Sequence, residues 1–135
     1  MAEAFEFQVI TPERVVISME TSSLVVPGAE GYLGFLPDHA PMVVLLKPGV
    51  VKYKVGSEYR RMAVTGGFME MANNKAVILA DAAELAEEID VMRARRALER
   101  ARERLASRQE GIDFARARAA LERAVARIRA AGEER

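Results

Sequence analysis

The sequence predicts a β + α chain: an N-terminal antiparallel β-sandwich or barrel over residues 1–84, then a C-terminal antiparallel two-helix hairpin over residues 85–135. Three observations predict it. All five prolines (Pro12, Pro27, Pro37, Pro41, Pro48) fall in the first part, among short runs rich in Val, Ile, Phe and Tyr, the residues that suit a pleated strand. From residue 84 onward the composition changes to thirteen alanines and thirteen arginines without a lysine. Charge divides at the same place: residues 1–83 hold seven basic and nine acidic side chains, residues 84–135 thirteen and eleven, inside a formally neutral total. A shift this abrupt marks two units of different secondary structure.

The predicted strands are Phe5–Ile10, Val15–Met19, Ser23–Val26, Met42–Leu46, Val50–Val55, Tyr59–Val64, Phe68–Met71 and Ala76–Ala80. Pro and Gly punctuate them at Thr11-Pro12, Pro27-Gly28, Lys47-Pro48-Gly49 and Gly66-Gly67. Asn73-Asn74 suits a tight turn, because Asn tolerates positive φ. Strands at this spacing with no helix between them imply antiparallel pairing.

In the tail, Val91, Ala94, Leu98, Ala101 and Leu105 recur at intervals of three and four, as do Phe114, Ala117, Leu121, Ala124, Ile128 and Ala131. That period describes two helical seams that can face each other. Ser107–Ile112 is the joint, with Gly111 as the break. Asp90 and Asp113 stand where each helix begins and suit N-caps. Around them Ile-Asp-x-x-Arg-Ala occurs twice, at Ile89–Ala94 and Ile112–Ala117. An apolar staple, an Asp cap and a helix former account for the second copy.

Composition excludes many chemistries. No cysteine means no disulfide, thiolate metal site or cysteine nucleophile. The single histidine, His39, argues against a His-rich metal site and a Ser-His-Asp triad. Neutrality argues against nucleic acid, and neither a P-loop nor a strand-linked Gly-x-Gly-x-x-Gly is present. No run approaches the ~18 apolar residues of a membrane span, and the N-terminus does not read as a signal peptide.

Two features invite a functional reading. Gly31-Tyr32-Leu33-Gly34-Phe35-Leu36-Pro37-Asp38-His39-Ala40-Pro41 reads as a rigid, shaped loop, serving either recognition or a turn whose histidine caps backbone groups. In the tail, Arg93 and Arg100 share one helix face, and Arg123 and Arg127 are neighbours on the other helix. A solvated face laced with Glu99, Glu103 and Glu122 covers most such residues. The exclusive use of arginine also fits a polyphosphate clamp, since guanidinium binds phosphate in bidentate fashion; heat adaptation or a GC-rich genome produces the same bias. Hydrolysis is not expected, because neither a P-loop lysine nor a metal site is present.

The chain resembles the epsilon subunit family of bacterial F-type ATP synthase over essentially its whole length. The resemblance rests on the Gly31–Pro41 string, on Thr11-Pro12, on Val64-Thr65-Gly66-Gly67-Phe68 and on Ile89-Asp90-Val91-Met92-Arg93-Ala94. Two departures are small: Phe35 replaces the usual Ile or Val, and Asp38 stands where Gly or Asn is common. The resemblance implies a non-catalytic rotor subunit whose sandwich binds the gamma subunit and seats on the ring of c subunits. The surface it implies includes Glu30, Gly31, Leu36, Pro37 and His39. It also implies a hairpin that lies folded on the sandwich or extends into the alpha/beta head to inhibit ATP hydrolysis. The complex would sit at the cytoplasmic face of the bacterial plasma membrane, with the chain peripheral. In some members the folded hairpin binds ATP as a regulatory ligand. The matching positions are Glu84, Ile89, Asp90, Arg93, Ala94, Arg100, Arg123 and Arg127, with the four arginines toward phosphate and Glu84, Ile89 and Asp90 toward base and ribose. A free-standing binding module with a fixed coiled-coil hairpin is the alternative.

Overall fold

Phe5, Phe7 and Val9 are buried while Glu6 faces water, and this period of two recurs in the strands that follow. In the computed structural model, which describes residues 2–107 and 109–132, the strands are β1 (Phe5–Ile10), β2 (Val15–Thr21), β3 (Leu24–Gly28), β4 (Gly31–Phe35) and β5 (Met42–Leu46). Then come β6 (Gly49–Val55), β7 (Glu58–Val64), β8 (Gly67–Ala72), β9 (Lys75–Ala80) and β10 (Ala83–Leu85). A 3-10 turn at Ala86–Glu88 leads to helices α1 (Val91–Ala106) and α2 (Phe114–Ala130).

The strands hydrogen-bond in the order β10-β7-β6-β3-β5-β8-β9-β1-β2, with β4 beside β3. β3 and β5 share one paired position, Gly28 opposite Leu46, which makes the corner between two halves. The halves face each other: Phe7 on β1 meets Tyr53 on β6 with ring centroids 5.6 Å apart. Around them Leu24, Val26, Met62, Met69, Met71 and Ile78 are fully buried. This is the expected sandwich, corrected in two places. β1 pairs with β9 in parallel, not antiparallel. Hairpin logic governs strands adjacent in sequence, and β1 meets β9 across all the intervening strands, so no tight turn dictates its direction. The first five residues of the expected Gly31–Pro41 loop are strand β4, paired with β3 from Leu24↔Phe35 to Gly28↔Gly31. Two glycines had masked the alternation there.

Local chemistry explains the turns. Asn73 and Asn74 have φ of 50° and 56°, the primed turn that suits a two-residue hairpin. Gly67 has φ 119°, and a Cβ there would lie 2.1 Å from the Leu79 carbonyl oxygen, so only glycine closes β8 onto β9.

The hairpin seam buries Ala94, Leu98, Ala124 and Ile128, with Leu121 half-buried beside them. Phe114, expected in that seam, is 49% exposed. It is the first residue of α2, directly after the Asp113 cap, at the end of the hairpin beside the joint. Asp90 and Asp113 cap as expected, each accepting the backbone N–H three residues on, at 3.0 Å. α2 has a second apolar face: Ala126 and Ala130 pack on Val50 of β6 and Ala63 of β7, with Ile89 alongside. The hairpin is therefore folded down on the sandwich, α2 against the sheet and α1 on α2.

Candidate functional site

Glu84 lies on β10 opposite Ala63, beside the seat of α2. Its Oε1 accepts from Arg127 Nε at 2.5 Å, and both side chains are about one-third exposed (35% and 31%). Arg127 thus ties the hairpin to the sandwich.

The Ile-Asp-x-x-Arg-Ala motif separates into structural and uncommitted members. Ile89 packs against the Val50–Ala63–Ala126–Ala130 cluster. Asp90 spends Oδ1 on the Arg93 N–H, and Ala94 is 3% exposed in the seam. The Arg93 side chain is left exposed, with no ion pair among the described residues. The second copy repeats the device: Asp113 caps, Ala117 is buried and Arg116 is exposed.

At about 100° per residue, Arg93 and Arg100 lie roughly 120–140° to one side of the α1 seam, and Arg123 and Arg127 roughly 80–120° the same way from the α2 seam. In antiparallel helices these two sides face one flank. Arg127, with Arg123 one turn before it, lies half-buried on the flank that holds Glu84, and Arg93 and Arg100 are exposed toward the outer side of α1 above that flank. Four guanidinium groups against the carboxylates of Glu84 and Asp90 leave a positive surplus of two.

The linker before the hairpin is pinned separately. Arg14 donates from Nη2 to Glu88 Oε1 at 2.8 Å and from Nη1 to Oε2 at 3.1 Å, and Leu85 N donates to Glu88 Oε1 at 3.0 Å. The Arg14 bond first, then the Leu85 N–H, holds the Glu88 carboxyl below the usual glutamate range. The chain is thus clamped at Glu88, immediately before the hairpin.

The other expected residues flank β4: Glu30 and Gly31 at the β3–β4 turn beside Leu46, and Leu36, Pro37 and His39 beyond its far end, near the β8–β9 turn. Glu30 is exposed, Gly31 opens β4, Leu36 is 62% exposed at the tip, and Pro37 is half-buried. His39 is a capping histidine: Nδ1 lies 2.7 Å from the Ala40 carbonyl oxygen, which only accepts, so the proton is on Nδ1. Its ring packs on Phe35 at 4.6 Å. Asp38 has φ 64°, the conformation that favours Gly, Asn and Asp, which explains its place in the string. Its N–H donates to Asn74 Oδ1 at 2.8 Å and its Oδ2 accepts from Ala2 N at 2.9 Å, tying the loop to the β8–β9 turn.

One surface escaped the sequence. On the outer face of β5-β8-β9-β1-β2, Leu45, Phe68, Leu79, Ile10 and Val15 are successive cross-strand partners. Leu45 and Val15 are 67% and 58% exposed, so an apolar row crosses five strands uncovered. The signal was present in Met42–Leu46, whose five apolar residues leave neither face polar.

Comparison with known proteins matches both parts. Residues 4–86 match the family model described as ATP synthase, Delta/Epsilon chain, beta-sandwich domain, and residues 87–132 the one described as ATP synthase, Delta/Epsilon chain, long alpha-helix domain. The ATP synthase epsilon chain of Moorella thermoacetica is 52% identical over 130 residues, covering 96% of this chain and 97% of its own. That of Carboxydothermus hydrogenoformans is 52% identical over 108 residues, 80% of this chain and 81% of its own. Among solved structures, a chain of the Euglena gracilis mitochondrial ATP synthase superposes with a TM-score of 0.84 at 23% identity, over 98% of this chain and 84% of that one. At that identity the likeness is one of fold.

Proposed function

The chain belongs to the family of ATP synthase epsilon chains, non-catalytic subunits of that enzyme, and from that premise we propose that it couples the gamma subunit to the c-subunit ring and restrains ATP hydrolysis through its hairpin. The observation that carries the coupling is the apolar row Leu45–Phe68–Leu79–Ile10–Val15, a ready surface for a stalk subunit. The β3–β4 turn with Glu30 and Gly31 and the loop beyond β4 with Leu36, Pro37 and His39 are assigned to the surface facing the ring and the stalk. No helix among the described residues is long and apolar enough to cross a membrane, and the chain reaches the cytoplasmic membrane face through these partners. Phe68→Glu should weaken gamma binding at least about thirtyfold, the loss of one aromatic anchor. Undiminished affinity in a pull-down titration would remove this docking face.

The regulatory half is a population shift. α2 sits on the sheet through two alanines, and each buried methyl contributes only about 0.8 kcal/mol. A ligand that prefers the folded hairpin by a few kcal/mol is enough to move such an equilibrium. We assign that role to ATP, with Arg93, Arg100, Arg123 and Arg127 holding phosphates and Glu84, Ile89, Asp90 and Ala94 framing the site. When the hairpin extends, the same arginines are free for acidic surfaces of the alpha/beta head. ATP titrated into the protein should give saturable heat that Arg93→Ala and Arg127→Ala abolish; no heat at millimolar ATP would sink the nucleotide reading.

A further inference from the structure

The sheet beneath α2 carries a second charged cleft, on the flank away from Arg127. Outward positions on β6 and β7 are Val50 and Ala63, which α2 covers, and then Lys52 directly opposite Arg61. Like charges facing each other across strands destabilise a sheet, so this pair calls for an anion. None is at hand: Lys52 and Arg61 make no ion pair or side-chain hydrogen bond among the described residues. Arg129, in the last turn of α2, lines the same cleft, also without an ion-pair partner there. Gly132 closes the end, where a Cβ would lie 2.9 Å from Arg61 Nη2. The negative end of α2 supplies about half an elementary charge, which does not balance three cations. Glu84, on the same sheet face, is committed to Arg127. The cleft is open, with a volume of about 920 Å³, and Tyr32 forms one wall, its hydroxyl fixed by the Val50 N–H at 3.1 Å.

We propose that Lys52, Arg61 and Arg129 form a second anion site for an oligophosphate, separate from the Arg93–Arg100–Arg123–Arg127 flank. Two of its cations belong to the sandwich and one to the hairpin. The complete site exists only while the hairpin is folded, so an occupant strengthens that state. The proposal rests on the folded hairpin and not on the nucleotide reading.

Calorimetric titration of the full chain with inorganic tripolyphosphate tests it. Arg61→Gln and Lys52→Gln, both at exposed positions, should each weaken binding by about tenfold or more, the loss of one charge-assisted contact. Arg123→Gln with Arg127→Gln should leave a saturable, Arg61-dependent component intact. Binding that vanishes in the Arg123/Arg127 variant and ignores Arg61→Gln would overturn the proposal and leave the other flank as the site of phosphate binding. Glu133 and Glu134 follow Gly132 in the sequence. A chain ending at Gly132 therefore serves as a second arm. Binding by both chains supports an oligophosphate site, whereas binding by the shorter chain alone would assign the cations to the protein's own carboxylates and overturn it.

Discussion

The sandwich interior is filled with large side chains, whereas the hairpin meets the sandwich through small ones. Phe5, Phe7, Tyr53, Met62, Met69 and Ile78 are each at most 2% exposed, and each buries a full aromatic, thioether or branched side chain. Ala126 and Ala130 are as deeply buried (3% and 0%) yet bring only methyl groups to Val50 and Ala63. Burial fraction is therefore the wrong measure of cohesion; area removed from water is the right one. One part is built to stay assembled, and the other to be held by few contacts and two kinds of polar tie, Arg127–Glu84 and Arg14–Glu88.

Substitutions in the two parts should have unequal effects. Phe7→Ala should cost about 3–5 kcal/mol in urea unfolding, a large share of the stability of a domain this size. A loss under 1 kcal/mol would mean that the core is no stiffer than the hairpin seat. Ala130→Leu, which overpacks α2 against Val50 and Ala63, should cost about 1–3 kcal/mol of docking. Amide exchange in α2 should quicken and the chain should expand in small-angle scattering, with β8 and β9 still protected. Glu84→Gln removes a partly exposed tie and should loosen docking by about 1 kcal/mol or less, read from the same amides.

The smallest effect concerns pH. The Glu88 carboxyl sits below its ordinary range because Arg14 holds the charged form. Its contribution is therefore present above the unfolded glutamate pKa and is lost as pH falls through the depressed folded value. Acidification below the usual glutamate range should release the linker at Leu85–Glu88. Glu88→Gln should flatten that part of the profile; an unchanged acid limb would show that Arg14–Glu88 does not anchor the hinge.

Much of the fold was legible in the chain. β1 and β5 begin and end where hydrophobic runs do, and Asp90 and Asp113 cap as their positions suggest. β4 was not legible, because Gly31 and Gly34 contribute no side chain to the alternation. At the candidate site, the Ile-Asp-x-x-Arg-Ala motif was visible, but its division into a packed Ile89, a capping Asp90 and an exposed Arg93 needed the helix and sheet together. The Leu45–Phe68–Leu79–Ile10–Val15 row joins residues from five strands, so no window along the sequence contains it.

By itself the sequence determined what depends on neighbours along the chain: strand and helix periods, caps, the Asn73-Asn74 turn, and the division between a lysine-bearing sandwich and an all-arginine tail. The tertiary structure alone decided the parallel partner of β1, the second face of α2, the Arg127–Glu84 tie and the meeting of Lys52, Arg61 and Arg129. The reason is physical. Local periodicity fixes which face of an element is apolar, but which surfaces meet is set by burying all of those faces at once, and charges are brought together by that packing whatever their separation in sequence.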